Sequence, residues 1–346
     1  MRQRVLIAFI TLFLIILASC DKEIKTTNDN QPSVATEEKP SKEISGQSTQ
    51  EVIKTTDKDE NANEVTPEST DNATPSPTSS IEEPSGPIIL LNPPSEYYIA
   101  DSIAEKKSKS IDIKLLQSTE NSIIDEEEWF LNNNLNLNTL YIENAFLKGE
   151  GNLPQEIDKT WGDLFITAAF FDESYLYTIY GADYSEGYLL NIYDVYTNSK
   201  LYSLDLTNYR YSPNYISEDY DFVQQKINWA VLEGNILYVS NSHRTYAKSS
   251  NYMNGFITAI DLTTNSIIWR TKSLVSNASN FQILDDVILC GYGFTAEDDF
   301  LYEIDKYTGE VLKEIPLKSA PSYIIKKDNV LYVRTYDTDY EFIIEE

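Results

Sequence analysis

From about residue 160 to the C-terminus, apolar side chains alternate with polar ones at the two-residue spacing of half-buried strands, and Gly, Asn and Asp punctuate the runs. Four segments repeat one pattern of strand, tight turn and strand: "ITAAFFDESYLYTIYG" from Ile166, "WAVLEGNILYVSN" from Trp229, "FQILDDVILCGYG" from Phe281 and "YIIKKDNVLYVRTY" from Tyr323. Aligned on the second strand, Leu176, Leu237, Ile288 and Leu331 are equivalent, at spacings of 61, 51 and 43 residues.

Three of the pairs continue into a third strand, a turn with the skeleton Asp-x-x-Thr-(Asn/Gly), and a fourth strand: "YLLNIYDVYTNSKLYSLDL", "GFITAIDLTTNSIIWRTKSL" and "FLYEIDKYTGEVLKEIPL". Asp194, Asp261 and Asp305 can accept backbone N–H bonds inside the turn beside Thr197, Thr264 and Thr308, while Asn198, Asn265 and Gly309 suit a left-handed backbone. Each module therefore reads as a four-stranded antiparallel meander, and meanders repeated at this period predict an all-β fold, a β-propeller.

The last module, ending at Glu346, supplies three strands and no Asp turn. An N-terminal strand is expected to complete it, with strand-like runs at 111–116 and 140–147. The rest of 88–160 has room for about one more module, which gives five blades with a range of four to six.

The segment Ala259-x-Asp261-x-x-Thr264-x-x-x-x-Trp269 resembles the tryptophan-docking repeat of quinoprotein-like (PQQ-like) propellers, a resemblance that spans 164–346. It implies that Trp269 packs between adjacent blades. Glu303 and Lys313 replace the ends of the pattern in the next module, and Ile192 and Tyr202 in the one before.

The N-terminus sets the expected location. Arg2 and Arg4 precede an apolar run, Val5 to Leu17, that is short for a bilayer span, as in a signal peptide over 1–19. Leu17-Ala18-Ser19-Cys20 resembles the lipobox of bacterial lipoproteins, which implies lipidation of Cys20 and an extracytoplasmic protein anchored to the cell membrane. An uncleaved anchor is the alternative. Asp21 resembles the signal that retains some lipoproteins in the inner membrane. Residues 20–87 are Ser, Thr, Pro, Asn, Glu and Lys with almost no aromatic or long apolar side chains, the composition of a disordered tether. Its root-mean-square span is on the order of 45 Å. A glycosylated or partner-binding tail is the other reading. Residues 88–346 form the propeller domain.

Charge and composition then remove function classes. The net charge is −28, which repels nucleic acid and anionic headgroups. Besides Cys20 the sole cysteine is Cys290, inside an apolar run, so neither a disulfide framework nor a thiolate metal site is available. With His243 the sole histidine, a His-rich zinc site is excluded, and a triad would have to use that one residue. No cofactor is expected. The run "CGYGFTAED" imitates a dinucleotide fingerprint through Gly291, Gly293 and Ala296, but a strand follows where a helix is required. Acid groups such as Asp183/Glu186, Glu297/Asp298/Asp299 and Asp337/Asp339/Glu341 lack EF-hand spacing and read as solvated loop charge.

In a meander, alternate connections fall on opposite faces. The tight turns occupy one face. The longer second-to-third connections, "GADYSEG", "NSHRTYAKSSNYMN", "GYGFTAEDD" and "TYDTDYE", join the inter-module segment "NYRYSPNYISEDYDF" on the other. The candidate binding residues are there: Tyr184, Tyr211, Tyr215, His243, Tyr246, Tyr252, Tyr292, Phe294 and Tyr336. Aromatic rings with a polar rim suit partners or sugars, though such rings can equally pack the loops onto the blades. The leading expectation is a non-catalytic propeller that binds a protein or glycan of the cell envelope. The alternatives are a carbohydrate-active or other envelope enzyme using carboxylates on this face, and a scaffold of an envelope assembly complex.

Overall fold

The chain divides into two units, Met1–Pro75 and Ser76–Glu346. The computed structural model describes residues 88–90, 98–99, 108–137, 139–142, 153–183, 185–211, 224–243, 252–294 and 297–345, all in the second unit. The expected signal segment, Cys20 and the expected linker lie outside the described residues. Among the described residues no helix is long and apolar enough to cross a membrane.

In chain order the elements are β1 (Ile88–Leu90), β2 (Tyr98–Ile99), β3 (Asp112–Glu120), a 3-10 turn (Ile123–Asp125), α1 (Glu126–Asn132), β4 (Thr139–Ile142) and β5 (Thr160–Trp161). Then come four meanders: β6 (Leu164–Phe171) to β9 (Lys200–Asp205), β10 (Lys226–Glu233) to β13 (Ser266–Arg270), β14 (Gln282–Leu284) to β17 (Val311–Pro316), and β18 (Pro321–Lys327) to β20 (Thr338–Glu345). Between their ends lie β7 (Tyr175–Gly181) and β8 (Leu189–Asp194), β11 (Ile236–Ser242) and β12 (Phe256–Asp261), β15 (Val287–Phe294) and β16 (Glu297–Asp305), and β19 (Val330–Thr335).

The fold is all-β, with four propeller-like modules among the described residues, the lower end of the expected range. The fourth has three strands of its own, and β3 pairs antiparallel with β20 to complete it, Ile113 opposite Ile344 and Thr119 opposite Asp339. The described residues of 88–160 form no further blade. β4 and β5 add to the inner edge strand β6, β1 lies parallel on β9, and β2 pairs with β13. The N-terminal segment thus covers outer edges that would otherwise offer unpaired backbone groups.

The repeat alignment is physical. Leu176, Leu237, Ile288 and Leu331 each stand second in the second strand of their module, and none exceeds 1% exposure. The first-to-second turns carry positive φ at Gly234, Asp285 and Asp328. In the Asp turns the Asp194 carboxylate accepts from the Tyr196 and Thr197 amides at 3.0 and 2.8 Å, and Asp305 accepts from Tyr307 and Thr308 at 2.8 and 3.0 Å. Asp261 accepts from Thr263 at 2.8 Å and Thr264 at 3.4 Å. Asn198, Asn265 and Gly309 all have left-handed φ, at 57°, 55° and 74°.

Successive sheets pack through apolar layers. Phe170 stacks on Trp229 at 3.9 Å across the first two sheets, and the Leu232 amide donates to the Tyr177 hydroxyl at 2.9 Å. Trp269, 1% exposed, leaves the second sheet and lies on Gly309 of the third, its indole N–H donating to the Lys306 carbonyl at 3.2 Å. The docking expected of this tryptophan is present in geometry. Between the third and fourth sheets Leu289, Leu301, Ile324, Val333 and Phe342 form a separate layer, with Gly291 letting Pro321 approach.

The departures at Glu303 and Lys313 have a partner. Glu303 is fully buried, its carboxylate accepts from the Ser110 hydroxyl (2.6 Å) and the Ile111 amide (2.9 Å), and Lys313 stands 3.4 Å away. Lys313 also donates to the Ile111 carbonyl at 3.3 Å, and the Ser108 amide donates to Asp305. The segment entering β3 is therefore clasped by the two residues that break the repeat.

Candidate functional site

The tight turns and the long connections separate onto opposite ends of the sheets. At the turn end the Leu262 amide meets the Asn235 carbonyl at 2.9 Å, the Lys306 amide meets Asp286 at 3.0 Å, and the Lys306 ammonium pairs with Glu233 at 3.1 Å.

The loop end is knitted by a chain of polar contacts from module to module. Arg210, on the segment between the first two sheets, pairs with Glu186 of the first long connection at 3.3 Å and lies over the Tyr188 ring at 4.4 Å. Its other contacts are with Gln224 at 2.6 Å and the Tyr211 ring at 5.7 Å. Gln225 donates to the Met253 carbonyl at 3.3 Å, Asn254 caps both the amide and carbonyl of His243, and Asn277 donates to Gly293 at 2.7 Å. Farther round, the Leu317 amide donates to the Asp299 carbonyl at 2.8 Å and the Tyr336 amide to Ala320 at 3.0 Å. The inter-module segments thus run beside the second-to-third connections, as meander geometry requires.

The nine candidate binding residues divide. Tyr184, Tyr215 and Tyr246 lie outside the described residues. Tyr252 and Tyr336 project from their connections at 64% and 59% exposure, Tyr252 from a left-handed backbone with φ 63°. Tyr211 and Phe294 are half-buried, and Tyr211 donates to Gln224 at 3.1 Å. Tyr292 and His243 are corrections to the expectation of surface rings. Tyr292 is 2% exposed because Gly255, lacking a Cβ, lets its ring lie against the neighbouring module, and its hydroxyl accepts from Asn254 at 3.4 Å. His243 is 5% exposed, and burial pulls its pKa down to about 4. Both pack the loops.

Asp299 has its pKa pushed up to about 6, first by burial and then by Asp337, Asp298 and Glu297. Its carboxylate sits on Gly293. Among the described residues, no group of three or more His, Cys, Asp or Glu side chains is arranged to hold a metal ion. Gly291 and Gly293 lie within β15 and β16 follows, so the glycine run is strand and inter-sheet contact. Buried Cys290 has a thiol held far above its ordinary range by burial.

A second feature was not legible in sequence: a polar pocket of about 210 Å³ between α1 and the outer face of the fourth sheet. Arg334, almost wholly buried, anchors it. Its guanidinium forks onto both oxygens of Asp339 at 3.0 Å, donates to Asp125 at 2.6 Å and the Ser122 carbonyl at 2.8 Å, and lies 5.6 Å from the Trp129 ring. The Asp125 carboxyl is held below its usual range, first by the Arg334 hydrogen bond. The only advance signal was the Glu-rich run before Trp129, too short to show helical periodicity.

No protein-family model matches the chain, and no curated protein matches it. Solved structures with a similar arrangement of strands include the computationally designed Ika4 protein, at 12% identity over 57% of this chain and 99% of that one, with a TM-score of 0.33. BamB from Moraxella catarrhalis is 10% identical over 50% of this chain and 57% of its own, with a TM-score of 0.29. A chain of the Mitotic Checkpoint Complex is 12% identical over 69% and 94%, with a TM-score of 0.32. Similarities this distant assign no activity.

Proposed function

We propose that the chain is an extracytoplasmic lipoprotein, anchored through Cys20, whose propeller domain acts without catalysis by binding a protein or glycan of the cell envelope on the loop face. The lipobox-like Leu17–Cys20 and the polar segment to residue 87 support the anchor and tether. One observation supports the binding face: among the described residues of the loop end, Arg210 ties the first inter-module segment to Glu186, Asn254 reaches Tyr292 of the next module, and the rings of Tyr252 and Tyr336 are exposed opposite a compact turn end. A rigid scaffold that displays aromatic rings on loops suits recognition, because ordering costs little there on binding.

The test replaces Tyr252 and Tyr336 by serine and leaves buried Tyr292 and His243 intact, then compares envelope pull-downs and glycan arrays with the wild type. Loss of a retained protein or glycan is expected. Retention unchanged by the double variant would remove the loop face as the binding surface.

A further inference from the structure

The large hydrophobic side chains exposed to solvent are unevenly placed. Of the nine found among the described residues, Leu115, Leu116, Ile123, Ile124 and Leu131 fall within residues 115–131, at 55% exposure or more. The last three belong to the short helical unit on the fourth sheet. Its inner side is occupied: Trp129 stacks with Tyr323, Glu126 accepts from the Tyr323 hydroxyl at 2.9 Å, and Asp125 holds Arg334. At helical spacing Ile124, Glu127 and Leu131 then fall on the opposite side, with Glu128 at the edge of the groove, and Ile124 and Leu131 are 87% and 70% exposed.

Beside this face lies the groove between α1 and β3. The positive charge of Arg334 is spent on Asp125 and Asp339, which leaves the carboxylates of Glu128 and Glu341 on the groove without a cationic partner among its lining residues. Gln117 donates to Glu341 at 2.7 Å, which positions that carboxylate and adds no charge. The Lys327 ammonium donates to the Asn133 carbonyl at one end of the groove, at 2.8 Å, so four carboxylates stand against two cations, and two exposed aliphatic side chains next to this excess of negative charge select the occupant. Anionic lipid headgroups are repelled, and a second copy of this chain, at a net charge of −28, brings like charge to the same place.

We propose that the outer face of α1, together with the groove between α1 and β3, is a docking surface for a basic, amphipathic segment of a partner protein. A lysine or arginine of that segment enters the groove toward Glu128 and Glu341 while its apolar side chains cover Ile124 and Leu131. This surface starts at the loop end of the fourth sheet, where the Asn121 amide donates to the Asp337 carbonyl at 2.9 Å, and runs down the side of that sheet, so separate variants distinguish it from the rings of the loop face.

The test titrates the full chain with a synthetic peptide of leucine and lysine at helical spacing, at low and high salt, with an otherwise identical leucine–glutamate peptide as control. Binding of the lysine peptide, weakening with salt, is expected. It should fall about tenfold in Glu128→Gln/Glu341→Gln and, at unchanged salt slope, in Leu131→Gln. An equal removal of charge elsewhere, Glu173→Gln/Asp298→Asn, should leave it within twofold or so. The proposal is overturned if the lysine peptide does not bind, if the glutamate peptide binds equally, or if the remote charge pair costs as much as the groove pair. It is also overturned if Leu131→Gln abolishes self-association of the chain with no peptide bound, which would give the face to a second copy. Tyr252→Ser/Tyr336→Ser should leave peptide binding unchanged, so a failure here is distinguishable from a failure of the loop face.

Discussion

Replacing Gly309 by alanine separates the two reasons for a glycine at that turn. The first is backbone: φ is 74°, where an added Cβ costs about 1–2 kcal/mol. The second is packing. A Cβ at Gly309 would lie 2.5 Å from Cε3 of Trp269, inside any real contact distance, and Trp269 is itself 1% exposed with its indole N–H committed to Lys306. Overpacking against a ring with nowhere to move adds about 1–3 kcal/mol. Gly234 supplies the control, with φ 59° and nothing within 4 Å of its Cβ position, so Gly234→Ala should cost only the backbone share. The same position in the other Asp turns is filled by Asn198 and Asn265 at similar φ, so the backbone there accommodates a side chain. The assay is urea unfolding of Gly309→Ala, Gly234→Ala, Trp269→Ala and Gly309→Ala/Trp269→Ala. Gly309→Ala should cost about 2–5 kcal/mol, and Trp269→Ala about 3–5 through the cavity it leaves. With Trp269 absent, adding Gly309→Ala should cost no more than Gly234→Ala does alone. Equal costs for Gly309→Ala and Gly234→Ala in the wild-type background would refute the inter-module docking.

Glu303→Ala should free the start of β3 and leave Lys313 without its carboxylate, at about 3 kcal/mol; amide exchange should rise first at Asp112–Glu120, and uniform exchange across all sheets would count against the clasp. His243 is the sole histidine, so its imidazole signal in proton NMR is unambiguous. Its midpoint should fall at about 4, with stability complete above the unfolded value near 6.5 and declining as pH drops through that range, whereas a midpoint of 6.5 would place the ring in water. Asp299 has the opposite sign: a raised carboxyl pKa makes stability greatest near pH 4 and lower once pH passes about 6. Asp299→Asn should therefore raise Tm at pH 7 relative to wild type and not at pH 4. Tyr252→Ser and Tyr336→Ser, being exposed, should each change stability by less than about 0.5 kcal/mol.

What sequence could show was local. Strand alternation and Asx turns act over a few residues, so the module register and the three Asp turns follow from "AIDLTTN" and its relatives, and the missing fourth strand of the last module followed from counting. What it could not show was long-range pairing. β1 and β2 are three and two residues long and gain their conformation from the sheet edges they meet, and Glu303 and Lys313 look like lapses in a repeat until Ile111 is placed between them. The expectation of a fifth blade came from chain length alone, but the described residues of 88–160 form edge strands, α1 and additions to the first sheet. At the loop face, loop length located the connections, and tyrosine content could not distinguish exposed Tyr252 from buried Tyr292, since that depends on Gly255 of another module.

The central claim is that recognition belongs to the loop end and architecture to the turn end. A photo-crosslinking residue placed at Tyr252 or Tyr336, and in separate variants at Asn198 or Asn265, tests it in the intact envelope. Discrete crosslinked products from the first pair alone are predicted, and products from the Asn198 or Asn265 positions with none from Tyr252 and Tyr336 would contradict it.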